Sequence, residues 1–109
     1  MGLFGQHQHP HRDAYEAVYG ARRPHHQVTH EILAAAVGFE AMRMYEHQRE
    51  REGIPEHHRV AKELLAAFVA AEIDKHFDTG RYHHLSRHEA HRMAREQAEY
   101  LWQQRYGRY

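Results

Sequence analysis

The sequence predicts an all-α protein, a small helical bundle of three long helices and one short N-terminal helix. Apolar residues recur every three or four positions in three long segments, as they do along one side of an amphipathic helix. Glycine and proline interrupt the chain between these segments, and no stretch alternates apolar and polar residues as a strand does. With 109 residues the chain fits one domain. We place that domain at residues 13–106, between an irregular histidine-rich tail over 1–12 and a short tail over 107–109.

The short first helix is expected over residues 13–19. Asp13 and Glu16 have the spacing of a capping box, in which each side chain binds the backbone amide of the other residue. Gly20 follows directly, and glycine is the residue that most often ends a helix. We therefore expect this helix to start at Asp13 and to stop at Tyr19.

The second helix is predicted from about His25 to Arg51, with Pro24 in its first turn. The segment Gly53-Ile54-Pro55 then interrupts the helical pattern. The apolar positions of this helix form one stripe and a set of residues that widen it. The stripe comprises Val28, Ile32, Ala35, Phe39 and Met42, and the widening residues are Leu33, Ala36, Val37 and Met44.

Two further helices are predicted over about 55–77 and 87–105. Pro55 suits the first turn of the former, and Ser86 with Glu89 has capping-box spacing at the start of the latter. We expect their apolar sides to face the core. These sides comprise Val60, Leu64, Leu65, Phe68, Ala71 and Phe77 in the third helix, and Ala90, Met93, Ala94, Gln97, Leu101 and Trp102 in the fourth.

Charge and composition exclude several classes of protein. The 15 basic and 15 acidic residues balance, which argues against a protein that binds nucleic acid through bulk positive charge. Because the sequence has no cysteine, disulfides, thiolate metal sites and cysteine nucleophiles are excluded. No apolar run is long enough for a membrane span, and no signal peptide is visible. We therefore expect a cytoplasmic protein.

The apolar core is expected to be small, because 15 alanines stand beside only 18 leucine, isoleucine, valine and phenylalanine residues. Small domains with thin cores often gain stability by association, so we expect a homo-oligomer, with a dimer favoured. Aromatic residues towards the short helix and the C-terminus are predicted to be packing or interface anchors. They are Tyr15, Tyr19, Tyr100 and Trp102.

Two glutamates lie on or beside the apolar sides of alanine-rich helices, Glu40 in the second helix and Glu72 in the third. A carboxylate in such a place must be paired, hydrogen-bonded or protonated. Lys75 follows Glu72 by one turn. We therefore predict a polar network in the core made by Glu40, Glu72 and Lys75, with a structural ion pair between Glu40 and Lys75 across two helices. A metal or catalytic role for the two carboxylates is the alternative.

The 14 histidines include pairs spaced as metal ligands on one helix face. Spacings of three or four residues bring two imidazoles together, where they can bind Zn, Ni or Cu. We expect most histidines to be solvated surface residues, and a transition-metal or haem site is the alternative function. The candidate ligands are His26, His30, His76, His88 and His91.

No catalytic motif is found, and we expect no enzyme. The only serine, Ser86, is explained as a helix cap. The peptidase motif His-Glu-x-x-His and glycine-rich phosphate-binding loops are both absent from the sequence.

Two central stretches, His30–Gln48 and Ala61–Lys75, resemble the CipC-like (concanamycin-induced protein C) family of small fungal proteins. Three further segments are also similar to this family, namely the opening Met-Gly-Leu-Phe, Asp13-Ala-Tyr15 and Ala94–Leu101. The resemblance implies an intracellular, stress- or antibiotic-responsive protein without established enzyme activity, and it supplies no catalytic residues. The positions of this sequence that match the family's pattern are His30, Glu31, Glu40, Tyr45, Glu72, Asp74 and Lys75.

Overall fold

A computed structural model describes the chain over residues 10–20, 24–53 and 58–107. These residues form four α-helices and one short 3-10 turn, and none of them lies in a strand. The predicted all-α fold is therefore confirmed. None of the four helices is both long and apolar enough to cross a membrane. The elements are α1 (Pro10–Tyr19), the 3-10 turn (His25–Gln27), α2 (His30–Glu52), α3 (His58–Asp78) and α4 (Arg87–Tyr106).

The central helix of the bundle is α2, which contacts each of the other three helices. α2 and α4 run parallel, since His30 lies beside Ser86 near their starts and Tyr45 lies beside Trp102 towards their ends. α3 runs antiparallel to both, because His58 at its start also contacts Trp102. α1 crosses over α2 and reaches α4 with one end and α3 with the other. The short helix thereby covers one side of the bundle.

The first helix begins earlier than predicted. α1 starts at Pro10, three residues before Asp13, because proline has no amide hydrogen to lose in a first turn. Asp13 and Glu16 therefore lie inside the helix, and the prediction that they cap it is wrong. The predicted start of the third helix at Pro55 lies outside the described residues.

The second helix begins later than predicted. Residues 25–27 form the separate 3-10 turn. Thr29 then caps α2, since its Oγ1 accepts a hydrogen bond from the amide of Ile32 at 3.1 Å. At α4 the predicted cap is confirmed, because Ser86 Oγ accepts a hydrogen bond from the amide of Glu89 at 3.2 Å.

The buried sides of α2 and α3 differ from the predicted ones. In α2, Leu33 and Val37 are fully buried, whereas Ile32 and Phe39 of the predicted stripe are half-buried. Because α2 packs on three neighbours, a single stripe does not describe its core side. In α3, Val60 was expected in the core and is 37% exposed. The buried residues of α3 are Ala61, Leu65, Val69, Glu72 and Ile73.

Small residues let the helices approach closely. A Cβ built on Gly38 would lie 2.8 Å from Gln97 Cβ and 3.1 Å from the amide nitrogen of Ala98. Both distances are shorter than ordinary van der Waals contact, so the spacing of α2 and α4 depends on glycine at this position. Alanine supplies much of the rest of the core, at positions 14, 34, 36, 41, 61, 90, 94 and 98.

Candidate functional site

Among the described residues, Glu72 is the buried charged side chain, with 6% of the residue exposed. It lies in α3 at the point where the C-terminal end of α1 reaches that helix. The Tyr19 hydroxyl donates a hydrogen bond to Glu72 Oε1 at 2.6 Å, and Lys75 Nζ lies 3.2 Å from Oε2. Both carboxylate oxygens therefore have a partner, as a buried charge requires.

Tyr19 is held in its protonated form. Burial raises the pKa of Tyr19 most, the hydrogen bond to Glu72 raises it further, and the negative charge of Glu72 adds to both effects. The pKa of Tyr19 consequently lies far above the ordinary value for tyrosine. The hydroxyl thus stays a hydrogen-bond donor to the carboxylate throughout the physiological pH range.

His76 lies on the other side of the same carboxylate oxygen, with Nε2 3.9 Å from Glu72 Oε1. Its ring meets the Tyr19 ring edge-on, with centroids 4.9 Å apart. Burial lowers the pKa of His76, and the nearby Glu72 opposes this effect only in part. Nε2 is buried and has no hydrogen-bond partner among the residues that the structure describes. His76 is therefore a neutral imidazole at pH 7 with one unpaired nitrogen beside a carboxylate.

A second tyrosine of α1 links Tyr19 to α2. The Tyr15 and Tyr19 rings stack with centroids 4.6 Å apart. Arg43 Nη1 donates hydrogen bonds to the Tyr15 hydroxyl at 2.8 Å and to Glu40 Oε1 at 2.9 Å. Two carboxylates, one on α2 and one on α3, are thus joined through the tyrosines of α1. The Glu72 cluster, as we name it, comprises Tyr15, Tyr19, Glu40, Arg43, Glu72, Lys75 and His76.

The aromatic contacts continue beyond the Glu72 cluster. The His76 ring lies edge-on to buried Tyr82 with centroids 5.8 Å apart, and the His25 ring stacks on Tyr82, also with centroids 5.8 Å apart. An unbroken row of rings thereby runs from α1 to the 3-10 turn. Its members are Tyr15, Tyr19, His76, Tyr82 and His25.

The predicted polar network includes residues that the structure brings together, but the pairing is different. Lys75 pairs with Glu72 on its own helix, and Glu40 pairs with Arg43 on its own helix. Within the described ranges, no ion pair joins Glu40 to Lys75. The reason is geometric: each cation lies one helical turn from its own carboxylate, and Glu72 takes its contact from outside α3 from the Tyr19 hydroxyl.

The four predicted packing or interface anchors occupy different places. Tyr15 and Tyr19 pack between α1 and the bundle, and Trp102 is 4% exposed and donates a hydrogen bond to the Tyr45 hydroxyl at 3.2 Å. Tyr100 is 54% exposed and stacks loosely on the His11 ring, with centroids 6.2 Å apart. These aromatic residues therefore do not form one surface, and three of them stabilise the fold from inside.

The candidate metal ligands are also dispersed. His26 is exposed in the 3-10 turn, while His30 Nε2 accepts a hydrogen bond from the Ser86 amide at 2.8 Å. His88 is exposed and His91 half-buried, one turn apart in α4. Over 10–20, 24–53 and 58–107, no group of three histidine, aspartate or glutamate side chains is arranged to hold a metal ion. Metal or haem binding through histidine pairs stays a prediction.

The comparison with known families decides what the chain is related to. A family model described as virulence factor CipC-like matches residues 14–105. The chain belongs to the CipC-like family. The match begins inside α1 and ends in the last turn of α4, so it includes every residue of the Glu72 cluster of this CipC-like protein. No curated protein and no solved structure matches the chain significantly.

Proposed function

We propose that this CipC-like protein is a non-enzymatic helical protein that self-associates through the outer side of α3 and acts in a stress or antibiotic response. The observation that carries the proposal is an apolar strip on α3 that the other described residues leave uncovered. Val60, Ala67 and Ala71 are exposed along it, and Leu64 and Phe68 are half-buried at its edge.

The spacing of the strip suits a second helix. Residues 60, 64, 67 and 71 are separated by four, three and four positions, which places them on one side of α3. The opposite side carries Leu65 and Val69, which are fully buried. An α-helix with apolar residues on both sides needs a partner on each. Small side chains at 67 and 71 would let the partner helix approach closely, so a second copy of α3 is a suitable occupant.

The absence of catalysis is proposed from the way in which the reactive groups are engaged. Both oxygens of Glu72 are already bound by Tyr19 and Lys75. The hydroxyl of Ser86 caps α4 by accepting a hydrogen bond from the Glu89 amide. A nucleophile or general base must be reached by its substrate, and Glu72 is only 6% exposed.

Sedimentation velocity over a dilution series tests the self-association. We expect a species of twice the 13.0 kDa chain mass, which dissociates on dilution. Ala67→Glu places a charge in the middle of the strip and should yield a monomer. His47→Glu is the matched control, since His47 is exposed on α2, and it should leave the dimer intact. A monomer at every concentration of the unaltered chain would refute the proposal.

The alternative function is the binding of a transition metal or haem through a histidine pair. His88 and His91 favour it most, because they lie one turn apart in α4 and His88 is exposed. Two imidazoles at this spacing can share one metal ion, and solvent or a second chain would supply the other ligands.

A further inference from the structure

We propose that Tyr19 is a one-electron redox site, which gives an electron to a small oxidising radical while its phenolic proton moves to the Glu72 carboxylate. The proposal goes beyond self-association and does not depend on it. It concerns the part of the Glu72 cluster formed by Tyr19, Glu72, Lys75 and His76.

The geometry supplies the proton acceptor that oxidation of a phenol requires. A phenol that loses an electron becomes a very strong acid, so an acceptor already in hydrogen-bond contact lets the proton and the electron leave together. The Tyr19 hydroxyl lies 2.6 Å from Glu72 Oε1, within the short range typical of a hydroxyl bound to a carboxylate. A carboxylate so positioned acts as a general base without any rearrangement.

The step balances with a peroxyl radical as the oxidant. The O–H bond of Tyr19 breaks, its electron reduces the peroxyl radical to a peroxide anion, and its proton forms a carboxylic acid at Glu72 Oε1. The products are a neutral tyrosyl radical, a peroxide anion and a protonated Glu72. A one-electron reductant, such as a thiolate, would return the electron, and the proton would move back from Oε1.

The surroundings of Glu72 suit both states of the cluster. Before oxidation, Oε2 of the carboxylate is paired with Lys75, whose Nζ lies 3.2 Å away. After oxidation, Oε1 carries a hydrogen and becomes a donor. The unpaired Nε2 of His76, 3.9 Å away, can then accept that hydrogen after a small side-chain movement. The buried nitrogen that has no partner in the resting protein would thus gain one in the oxidised protein.

The stacked ring of Tyr15 offers a route for the electron. Its centroid lies 4.6 Å from that of Tyr19, and the two rings are half-buried. The Tyr15 hydroxyl accepts a hydrogen bond from the Arg43 cation, which opposes a positive charge on that ring. The radical is therefore localised on Tyr19, whose hydroxyl has a carboxylate as its partner.

Electron paramagnetic resonance of flash-oxidised protein tests the proposal. Photogenerated tris(bipyridine)ruthenium(III) serves as the oxidant, and samples are frozen after the radicals of exposed tyrosines have decayed. We expect a persistent tyrosyl signal that falls several-fold in Tyr19→Phe and in Glu72→Gln, whose amide oxygen is a far weaker base. Tyr100→Phe is the matched control, because Tyr100 is 54% exposed, and it should leave the signal unchanged.

Two further readouts keep the test independent of variant folding. In the unaltered protein, formation of the persistent radical should be slower in D₂O than in H₂O, because a proton moves in the same step. A nitroso spin trap followed by mass spectrometry should place the adduct on the Tyr19 peptide. A signal undiminished in Tyr19→Phe, or an adduct confined to other tyrosines of the unaltered protein, would overturn the proposal.

Discussion

Removing a single oxygen atom from the Glu72 cluster should destabilise the whole bundle. Tyr19→Phe keeps the ring that stacks on Tyr15 at 4.6 Å and deletes only the hydroxyl that donates to Glu72 Oε1 at 2.6 Å. A hydrogen bond to a charged group contributes about 1.5–3 kcal/mol, and its loss leaves one oxygen of a buried carboxylate unpaired. Because Lys75 still pairs with the other oxygen, we expect the free energy of unfolding to fall by about 2 kcal/mol.

Urea and thermal unfolding followed by circular dichroism measure this loss. For a chain of this size, about 2 kcal/mol corresponds to a decrease in Tm of about 10 °C. Tyr100→Phe is the control, since the ring is exposed and only loosely stacked on His11. Surface substitutions of this kind change the free energy of unfolding by less than about 0.5 kcal/mol.

A double-mutant cycle with Glu72→Gln identifies the partner. The glutamine keeps an oxygen that can accept from Tyr19, but the bond is then between neutral groups and about half as strong. Tyr19→Phe should therefore cost about 1 kcal/mol in the Glu72→Gln background. If Tyr19→Phe costs no more than Tyr100→Phe, or costs the same with and without the Glu72 charge, the buried hydrogen bond does not stabilise the fold as argued.

Three further predictions concern other parts of the molecule. Gly38→Ala should lower the free energy of unfolding by about 1–3 kcal/mol, because the new Cβ would lie 2.8 Å from Gln97 Cβ. An unchanged midpoint of urea unfolding would contradict the close approach of α2 and α4 at this position. Burial lowers the pKa of His76, so the contribution of this residue to stability is fully present above pH 6.5, the ordinary pKa of histidine, and falls as the pH decreases below 6.5. His76→Phe should therefore flatten this part of the profile of stability against pH. A profile that the substitution leaves unchanged would contradict this prediction. If the alternative function is correct, calorimetric titration with Zn, Ni and Cu or absorbance titration with haemin should show stoichiometric binding. The double substitution His88→Asn with His91→Asn should abolish that binding. No binding by the unaltered chain would eliminate the alternative function.

Local signals in the sequence predicted the positions of the helices better than they predicted the contacts between the helices. Ser86 caps α4 as its spacing with Glu89 indicates, since a cap depends on residues three positions apart. Asp13 does not cap α1, because this helix already begins at Pro10. The buried side of α2 was not predictable from one stripe, because this helix contacts three others.

The candidate site was predicted in part. Glu72 was identified because a carboxylate on an alanine-rich apolar side needs a partner, and that reasoning holds. Its partner Tyr19 was predicted only as a packing or interface anchor, since the place where α1 crosses the bundle depends on tertiary packing and has no local signal. Arg43 was missed for the same reason, because its role depends on the Tyr15 hydroxyl that α1 brings to it.

The crossing of α1 over the bundle has a consequence for the order of assembly. Tyr19 finds its hydrogen-bond partner 53 residues later in the chain, and His11 contacts Gln97, 86 residues later. During synthesis the first helix therefore emerges long before the residues that receive it, and contacts so distant in sequence form late in folding. Tyr15 meets Arg43 only 28 residues later, so α1 should pack on α2 early and gain its contacts with α3 and α4 last, and the Glu72 carboxylate receives its hydroxyl partner in that final step.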